Sequence, residues 1–269
     1  MNTNIRASCV VRGALLLLFA STAAAQTLEQ RVAKAPDGSV RFSFAAKPGV
    51  YGNGRNSISW DCDKGNCRNQ VNGDWEDRDN WNSPCDSGPV RVAVQKTSGR
   101  ITDLRVYVGG EWRPNTSATD LGTVSTKDAA SYLLGLALRD ESRASEKAIF
   151  PAVLADSVTV WPDLLKIAKA DNVTRKTRRS AVFWLGQAAG DAATKGLTDL
   201  VADGDADHEV RESAVFALSQ RPSDEGVPAL IRIAKENKDP DLRRKAIFWL
   251  GQSDDPRALD LFEQLLTKP

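Results

Sequence analysis

The sequence predicts a multidomain α+β protein in which a small antiparallel β-rich module precedes an all-α stack of helix pairs. Nearly the same seven residues recur three times, as AVFWLGQ (181–187), AVFALSQ (214–220) and AIFWLGQ (246–252). Upstream of these strings, apolar and polar residues alternate with a period of two, which is typical of strands. The two patterns occupy separate parts of the chain, so the sequence indicates two kinds of structure in succession.

The first 25 residues are predicted to be a secretory signal peptide. Arg6 and Arg12 precede the apolar run ALLLLFA (14–20), and Ala23 and Ala25 lie where a cleavage site requires small residues. This pattern predicts cleavage after Ala25 and a periplasmic or secreted mature protein. The uncharged stretch falls short of the about 20 apolar residues that a membrane-spanning helix needs, so we expect no membrane span after cleavage.

The charge balance bears on the class of partner. The chain carries 36 basic and 35 acidic residues, a formal net charge of +1. Nucleic-acid-binding domains are usually strongly basic, so this balance argues against a nucleic-acid partner.

The repeated strings predict four structural units in the C-terminal half. A second apolar segment follows the first in each unit, for example WPDLLKIAKA (161–170), so each unit is expected to be a pair of short helices. Asp207 and Asp239 are predicted N-caps, with Pro240 at the first helical position. The units are expected near residues 143–171, 174–203, 207–236 and 239–268.

A further helix is predicted before the first unit, because Ser125 and Asp128 form a capping-box pattern ahead of AASYLLGLAL. The helical domain is therefore expected to span 125–269 and to be stable without the β-rich module. The polar stretch 113–124 is predicted to be the linker between them.

Packing between units explains why the same residue types return at the same position. One helix pair cannot bury its own apolar stripe, whereas stacked pairs bury it on their neighbours. Two residue columns are predicted to form this core, one of phenylalanines and one of leucines. Trp184 and Trp249 are at equivalent positions and are predicted to pack inside the stack in preference to lining an aromatic groove. The columns comprise Phe150, Phe183, Phe216 and Phe248, and Leu185, Leu218 and Leu250.

The pattern D-x-x-x-R-x-x-A-x-x-x-L occurs at Asp207, Arg211, Ala214 and Leu218, and again at Asp239, Arg243, Ala246 and Leu250. On these residues the chain, from about 143 to 268, resembles the short HEAT-like repeats of the phycobilisome-lyase type, here in an exported bacterial protein. The resemblance implies an α-solenoid with ladders of Asp and Arg between successive units. The earlier units depart from the pattern, with Thr174 in place of Asp and Ser145 in place of Arg.

The module at 26–112 is predicted to be β-rich. Val40, Phe42 and Phe44 alternate with polar residues, and VRVAV (90–94) and ITDLRVYV (101–108) flank the polar turn KTSGR. These segments predict a hairpin joined to at least one further strand.

A loop at 53–89, rich in Asn, Asp, Gly and Trp, interrupts this module. Long irregular segments are often functional, and Trp75 and Trp81 are candidates for a ligand surface. Cys62, Cys67 and Cys85 are disulfide candidates, since exported proteins favour disulfides, and the spacing leaves the pairing open. Zinc held by these cysteines, or calcium held by Asp61 and Asp63, is a weaker alternative.

The sequence predicts neither a catalytic centre nor a cofactor or metal site. His208 is the only histidine of the chain, and a metal cage built from several histidines therefore cannot form. With a single histidine, most catalytic arrangements in which a histidine activates a serine or cysteine nucleophile are also excluded.

The function expected from these observations is a non-catalytic exported scaffold that binds a protein or peptide in the cell envelope. The alternatives are a lyase-like enzyme or accessory related to the phycobilisome-lyase proteins, and a glycan-binding envelope protein. In HEAT-like stacks the second helices commonly line the concave face, which makes their exposed polar residues the predicted partner-binding set. These residues are Lys166, Lys169, Arg232, Lys235 and Gln264.

Overall fold

The computed structural model describes residues 26–55, 58–59, 85–114, 117–139, 142–188 and 190–267. Within these residues a β-rich region precedes a series of paired helices, which confirms the predicted α+β fold class. The predicted signal peptide, Cys62, Cys67, Trp75 and Trp81 lie outside the described residues, and the predictions made for them stay predictions. Every helix in the described ranges is too short or too polar to cross a bilayer.

The larger sheet has four strands, β1 (Gly38–Phe44), β5 (Val90–Thr97), β6 (Arg100–Val108) and β7 (Thr119–Thr123). Their order across the sheet is β6-β5-β1-β7. Its antiparallel hairpin joins β5 and β6 through Ser98 and Gly99, both at positive φ, as two-residue hairpin turns require. Strand β1 presents Val40, Phe42 and Phe44 to the core, and all three are fully buried, as their alternation predicts.

The smaller sheet consists of three two-residue strands in the order β3-β2-β4. Its strands are β2 (Tyr51–Gly52), β3 (Ile58–Ser59) and β4 (Asp86–Ser87), and β2 pairs antiparallel with both neighbours. Cys85, the remaining disulfide candidate, directly precedes β4 and is half-buried.

The structure corrects the predicted linker and adds a helix to the predicted β-rich module. Strand β7 lies within 113–124 and pairs with β1 in parallel, so the end of that segment belongs to the sheet. Helix α1 (Leu28–Lys34) was not predicted, although Thr27 and Gln30 form a capping box at its start. Lys96 on β5 donates from its buried Nζ to the carbonyls of Ala33 and Ala35, each at 2.6 Å, and so caps the other end of α1.

The sheet and the helices share one hydrophobic core. Helix α2 (Thr126–Arg139) begins after Ser125, whose side chain accepts a hydrogen bond from the Asp128 amide (3.0 Å), as predicted. Tyr132 of α2 packs edge-on against Phe42 of β1, with ring centroids 5.9 Å apart. The buried side chains of the sheet and of the helices form one continuous cluster, and this continuity argues against independent stability of residues 125–269.

Each predicted unit contains two helices, which form two layers. The first helices are α3 (Arg143–Val153), α5 (Arg175–Gly186), α7 (His208–Ser219) and α9 (Pro240–Leu250), and each packs against the next. The second helices form the other layer in the same manner. They are α4 (Trp161–Lys169), α6 (Asp191–Ala202), α8 (Ser223–Glu236) and α10 (Pro256–Thr267). We call these eight helices the stack.

The predicted ladder of Asp and Arg forms between the later units. Arg178 lies 3.7 Å from Asp207, and Arg211 lies 3.5 Å from Asp239, so each arginine meets the N-cap carboxylate of the following first helix. The ladder does not extend to the first unit through Ser145, whose buried side chain donates to the Ser142 carbonyl (2.7 Å). The ladder therefore ties the last three units together.

Carboxylates at the starts of these helices make the stability of the fold depend on pH. Burial raises the pKa of Asp239, but backbone hydrogen bonds at the helix start and the nearby charges of His208 and Arg211 outweigh it, and the pKa falls below its ordinary value. The pKa of Asp207 is lowered by the same kinds of contact. Hydrogen bonds and charge from Arg257 bring the pKa of Asp255 to about 2.

A carboxylate with a depressed pKa in the folded state stabilises the fold above its unfolded pKa, about 4 for Asp, and loses this effect as pH falls. We therefore expect the melting temperature to drop between about pH 4 and pH 2. Asp239→Asn keeps an N-cap of equal quality without the charge, so its melting temperature should depend less on pH across this interval. Parallel curves for the variant and the parent would contradict this assignment.

Candidate functional site

The phenylalanine column does not lie in the core, and this part of the sequence prediction was wrong. Phe183 and Phe248 are 43% and 56% exposed, while Phe150 and Phe216 are half-buried. The leucine column is fully buried, as predicted. The phenylalanines therefore form an aromatic surface on the layer of first helices.

A tryptophan from the first helix of the next unit determines which phenylalanines are covered. Trp184 of α5 packs on Phe150 of α3, with ring centroids 5.4 Å apart, and Trp249 of α9 packs on Phe216 of α7 at 4.9 Å. Both tryptophans are half-buried in the stack. The predicted packing role of the tryptophans is thus confirmed, although Trp249 also lines a groove.

Phe183 stays exposed because Ala217 occupies the tryptophan position of α7. The helices α5 and α7 also approach closely here, since a Cβ added at Gly186 would lie only 3.0 Å from the Ala217 Cβ. For Phe248, no first helix follows α9 among the described residues. Each exposed ring instead contacts the tryptophan beside it edge-on, at 5.1 Å for Phe183 and 5.0 Å for Phe248.

A groove of about 570 Å³ runs across α7 and α9, and α5 contributes one arginine to its rim. Phe216, Phe248 and Trp249 are its apolar lining residues. Its polar lining residues are Arg179, Glu212, Ser213, Asp241, Arg244 and Lys245.

Ion pairs between helices organise the charged side of this layer. Lys245 lies 3.5 Å from Glu212, and Arg175 lies 3.0 Å from Glu209. Arg244 pairs with Asp241 on its own helix. These groups are largely solvent-exposed, so each pair contributes little to stability, about 0–1 kcal/mol. They remain available for contacts with another molecule.

A second cluster joins His208, Asp239 and Asp241, whose side-chain ligand atoms lie within 4.8 Å of one another. The His208 Nε2 atom is 3.3 Å from an Asp239 oxygen, which also faces Arg211. Arginines thus accompany both carboxylates, and the positive end of the α9 dipole opposes a further cation. The geometry favours an ion-pair cluster between helices.

The predicted partner-binding residues are all exposed on the second helices, in the layer away from the groove. Three of them take part in links between successive units: Lys169 pairs with Asp203 at 3.4 Å, and Lys235 donates to Gln264 at 3.1 Å. The groove residues were not predicted as a site. Their signal is nevertheless visible in the sequence, because a charged residue precedes each repeated phenylalanine by one helical turn.

Comparison with known proteins supports the interpretation of the stack. A family model described as HEAT repeats matches residues 194–269, from within α6 to the C-terminus. This part of the chain is HEAT-like. The matched HEAT-like residues include both helices that form most of the groove. A search of curated proteins found no match.

Proposed function

We propose that this chain is an exported, non-catalytic scaffold whose HEAT-like stack binds a protein or peptide in the cell envelope. The observation that carries the proposal is the exposed aromatic surface on the first helices, where Phe183 and Phe248 stand beside arginines. Exposed apolar patches of folded proteins commonly mark interaction sites. Aromatic residues and arginine are also the types that contribute most to protein interfaces.

The form of the site supports a macromolecular partner. The groove is open and crosses several helices, whereas sites for small molecules are typically concave enough to bury most of the ligand. Stacked repeats present extended surfaces of this type. The export part of the proposal is supported by the basic residues, apolar run and small residues of the first 25 positions.

The experiment compares the two layers of the stack as binding surfaces. Full-length protein is expressed with its N-terminal segment, recovered from the envelope fraction, and used to capture partners from an envelope extract. The double variant Phe183→Ala, Phe248→Ala should lose these partners with little change in melting temperature, because both rings are exposed.

The matched control replaces Lys166, Lys169, Arg232, Lys235 and Gln264 with glutamate, and it should retain the partners. If only the control variant lost the partners, the binding surface would lie on the second helices instead. A recovered mass that still includes Met1 would contradict export by signal cleavage.

A further inference from the structure

We infer that the first-helix face holds two equivalent subsites, Arg179 with Phe183 and Arg244 with Phe248, which bind two apolar side chains of one extended acidic peptide segment. This inference rests on the proposed function and specifies the partner. Each subsite consists of an exposed phenylalanine, an arginine one helical turn before it and a tryptophan directly after it. Trp184 and Trp249 are these tryptophans.

The subsites recur every second unit. The residue one turn before the phenylalanine alternates between glutamate and arginine along the stack. On a helix, residues four apart share a face, so each of these charges lies beside its own phenylalanine. The successive pairs are Glu146 with Phe150, Arg179 with Phe183, Glu212 with Phe216, and Arg244 with Phe248.

Exposure follows the same alternation. The two phenylalanines that follow glutamate are each covered by a tryptophan from the first helix of the next unit. The two that follow arginine, Phe183 and Phe248, are the exposed ones. Charge and exposure thus vary together, and the surface presents the same combination twice, on α5 and on α9.

The separation of the subsites specifies the spacing of the peptide side chains. Packed helices lie about 8–10 Å apart, so α5 and α9, with α7 between them, are about 16–20 Å apart. An extended chain advances about 3.3 Å per residue and alternates its side chains between two faces. About six residues therefore cover the distance and place both side chains on the same face of the peptide.

Charge complementarity indicates an acidic segment. The side chains of Arg179 and Arg244 are 57% and 73% exposed. Their partners within the chain are surface carboxylates, Glu209 at 4.0 Å from Arg179 and Asp241 beside Arg244. Surface pairs of this kind are weak, so carboxylates of a peptide can compete for both arginines. The groove itself is lined by three cations and two anions, an excess of positive charge.

The test uses synthetic peptides and the full chain in isothermal titration calorimetry. The first peptide carries two Asp-Phe pairs whose phenylalanines are six residues apart, with Gly and Ser elsewhere. The second carries one Asp-Phe pair, and the third places the two phenylalanines five residues apart. We expect one molecule of the first peptide per protein, with at least tenfold higher affinity than the other two.

Protein variants assign the subsites. Phe183→Ala and Phe248→Ala should each lower the affinity for the first peptide at least tenfold, to that of the one-pair peptide. Arg179→Glu and Arg244→Glu should do the same in low salt. Arg232→Glu, on the second-helix layer, should leave the affinity unchanged.

Three outcomes would overturn the two-subsite inference: equal affinity for all three peptides, two molecules of the first peptide per protein, or unchanged affinity in both phenylalanine variants. Absence of peptide binding would overturn it as well. The proposed function would survive any of these if envelope partners were still captured and then lost in the Phe183, Phe248 double variant. It would fail if that double variant captured the same partners as the parent.

Discussion

Arg221→Ala is expected to lower the free energy of unfolding by about 3–5 kcal/mol, the cost of removing one partner from a buried charged network. Arg221 follows α7, and its side chain is only 4% exposed. It donates to Thr194 Oγ1 (2.8 Å) and to Glu225 (2.7 Å). It also donates to the carbonyls of Gly186, Ala188 and Gly190 at the α5–α6 connection.

Removal of this side chain would leave buried acceptors without donors across the joint between the second and third units. For a protein of this size the melting temperature should fall by roughly 6–20 °C. Arg175→Ala is the matched control, because the Arg175 side chain is 53% exposed and the expected loss is about 0–1 kcal/mol. Similar losses in both variants, measured by thermal and urea unfolding, would contradict a structural role for Arg221.

Leu218→Ala is expected to cost about 2–5 kcal/mol, as is typical for a buried leucine in a packed core. Leu218 is fully buried, whereas Phe248, from the other repeated column, is 56% exposed. Phe248→Ala should therefore cost less than about 1 kcal/mol, in line with surface substitutions. Urea denaturation of both variants measures the two losses in free energy of unfolding. A larger loss for Phe248→Ala than for Leu218→Ala would indicate that the phenylalanine column belongs to the core.

The sequence allowed the paired helices and the leucine column to be predicted, because both follow from a repeat of 32–33 residues. The spacing of the phenylalanines relative to the leucines also predicts that the two columns do not share a core. Phe216 and Leu218 are two residues apart, and at 3.6 residues per turn such neighbours point about 200° apart. A repeated phenylalanine and a repeated leucine in this relation point to opposite sides of their helices, so only one of the two columns can face the same core.

Other features depend on contacts that a single sequence does not reveal. Arg221 belongs to one loop of the stack, and its acceptors lie up to 35 residues earlier in the chain. In the sequence Lys96 is an ordinary polar residue of a strand, and its role in capping α1 is apparent only from the contact between them. The capping box of α1 was visible at Thr27 and Gln30, but a seven-residue helix is too short to show a clear helical periodicity.

The joint between the second and third units is braced twice, by the close approach of Gly186 to Ala217 and by the Arg221 network. Each repeat of a solenoid contacts only its neighbours, so elastic bending of such a rod is the sum of small rotations at its joints. With this joint stiffened, rotation between α7 and α9 is the main movement that can alter the distance from Phe183 to Phe248. The spacing between the Phe183 and Phe248 rings therefore depends mainly on the joint between the third and fourth units.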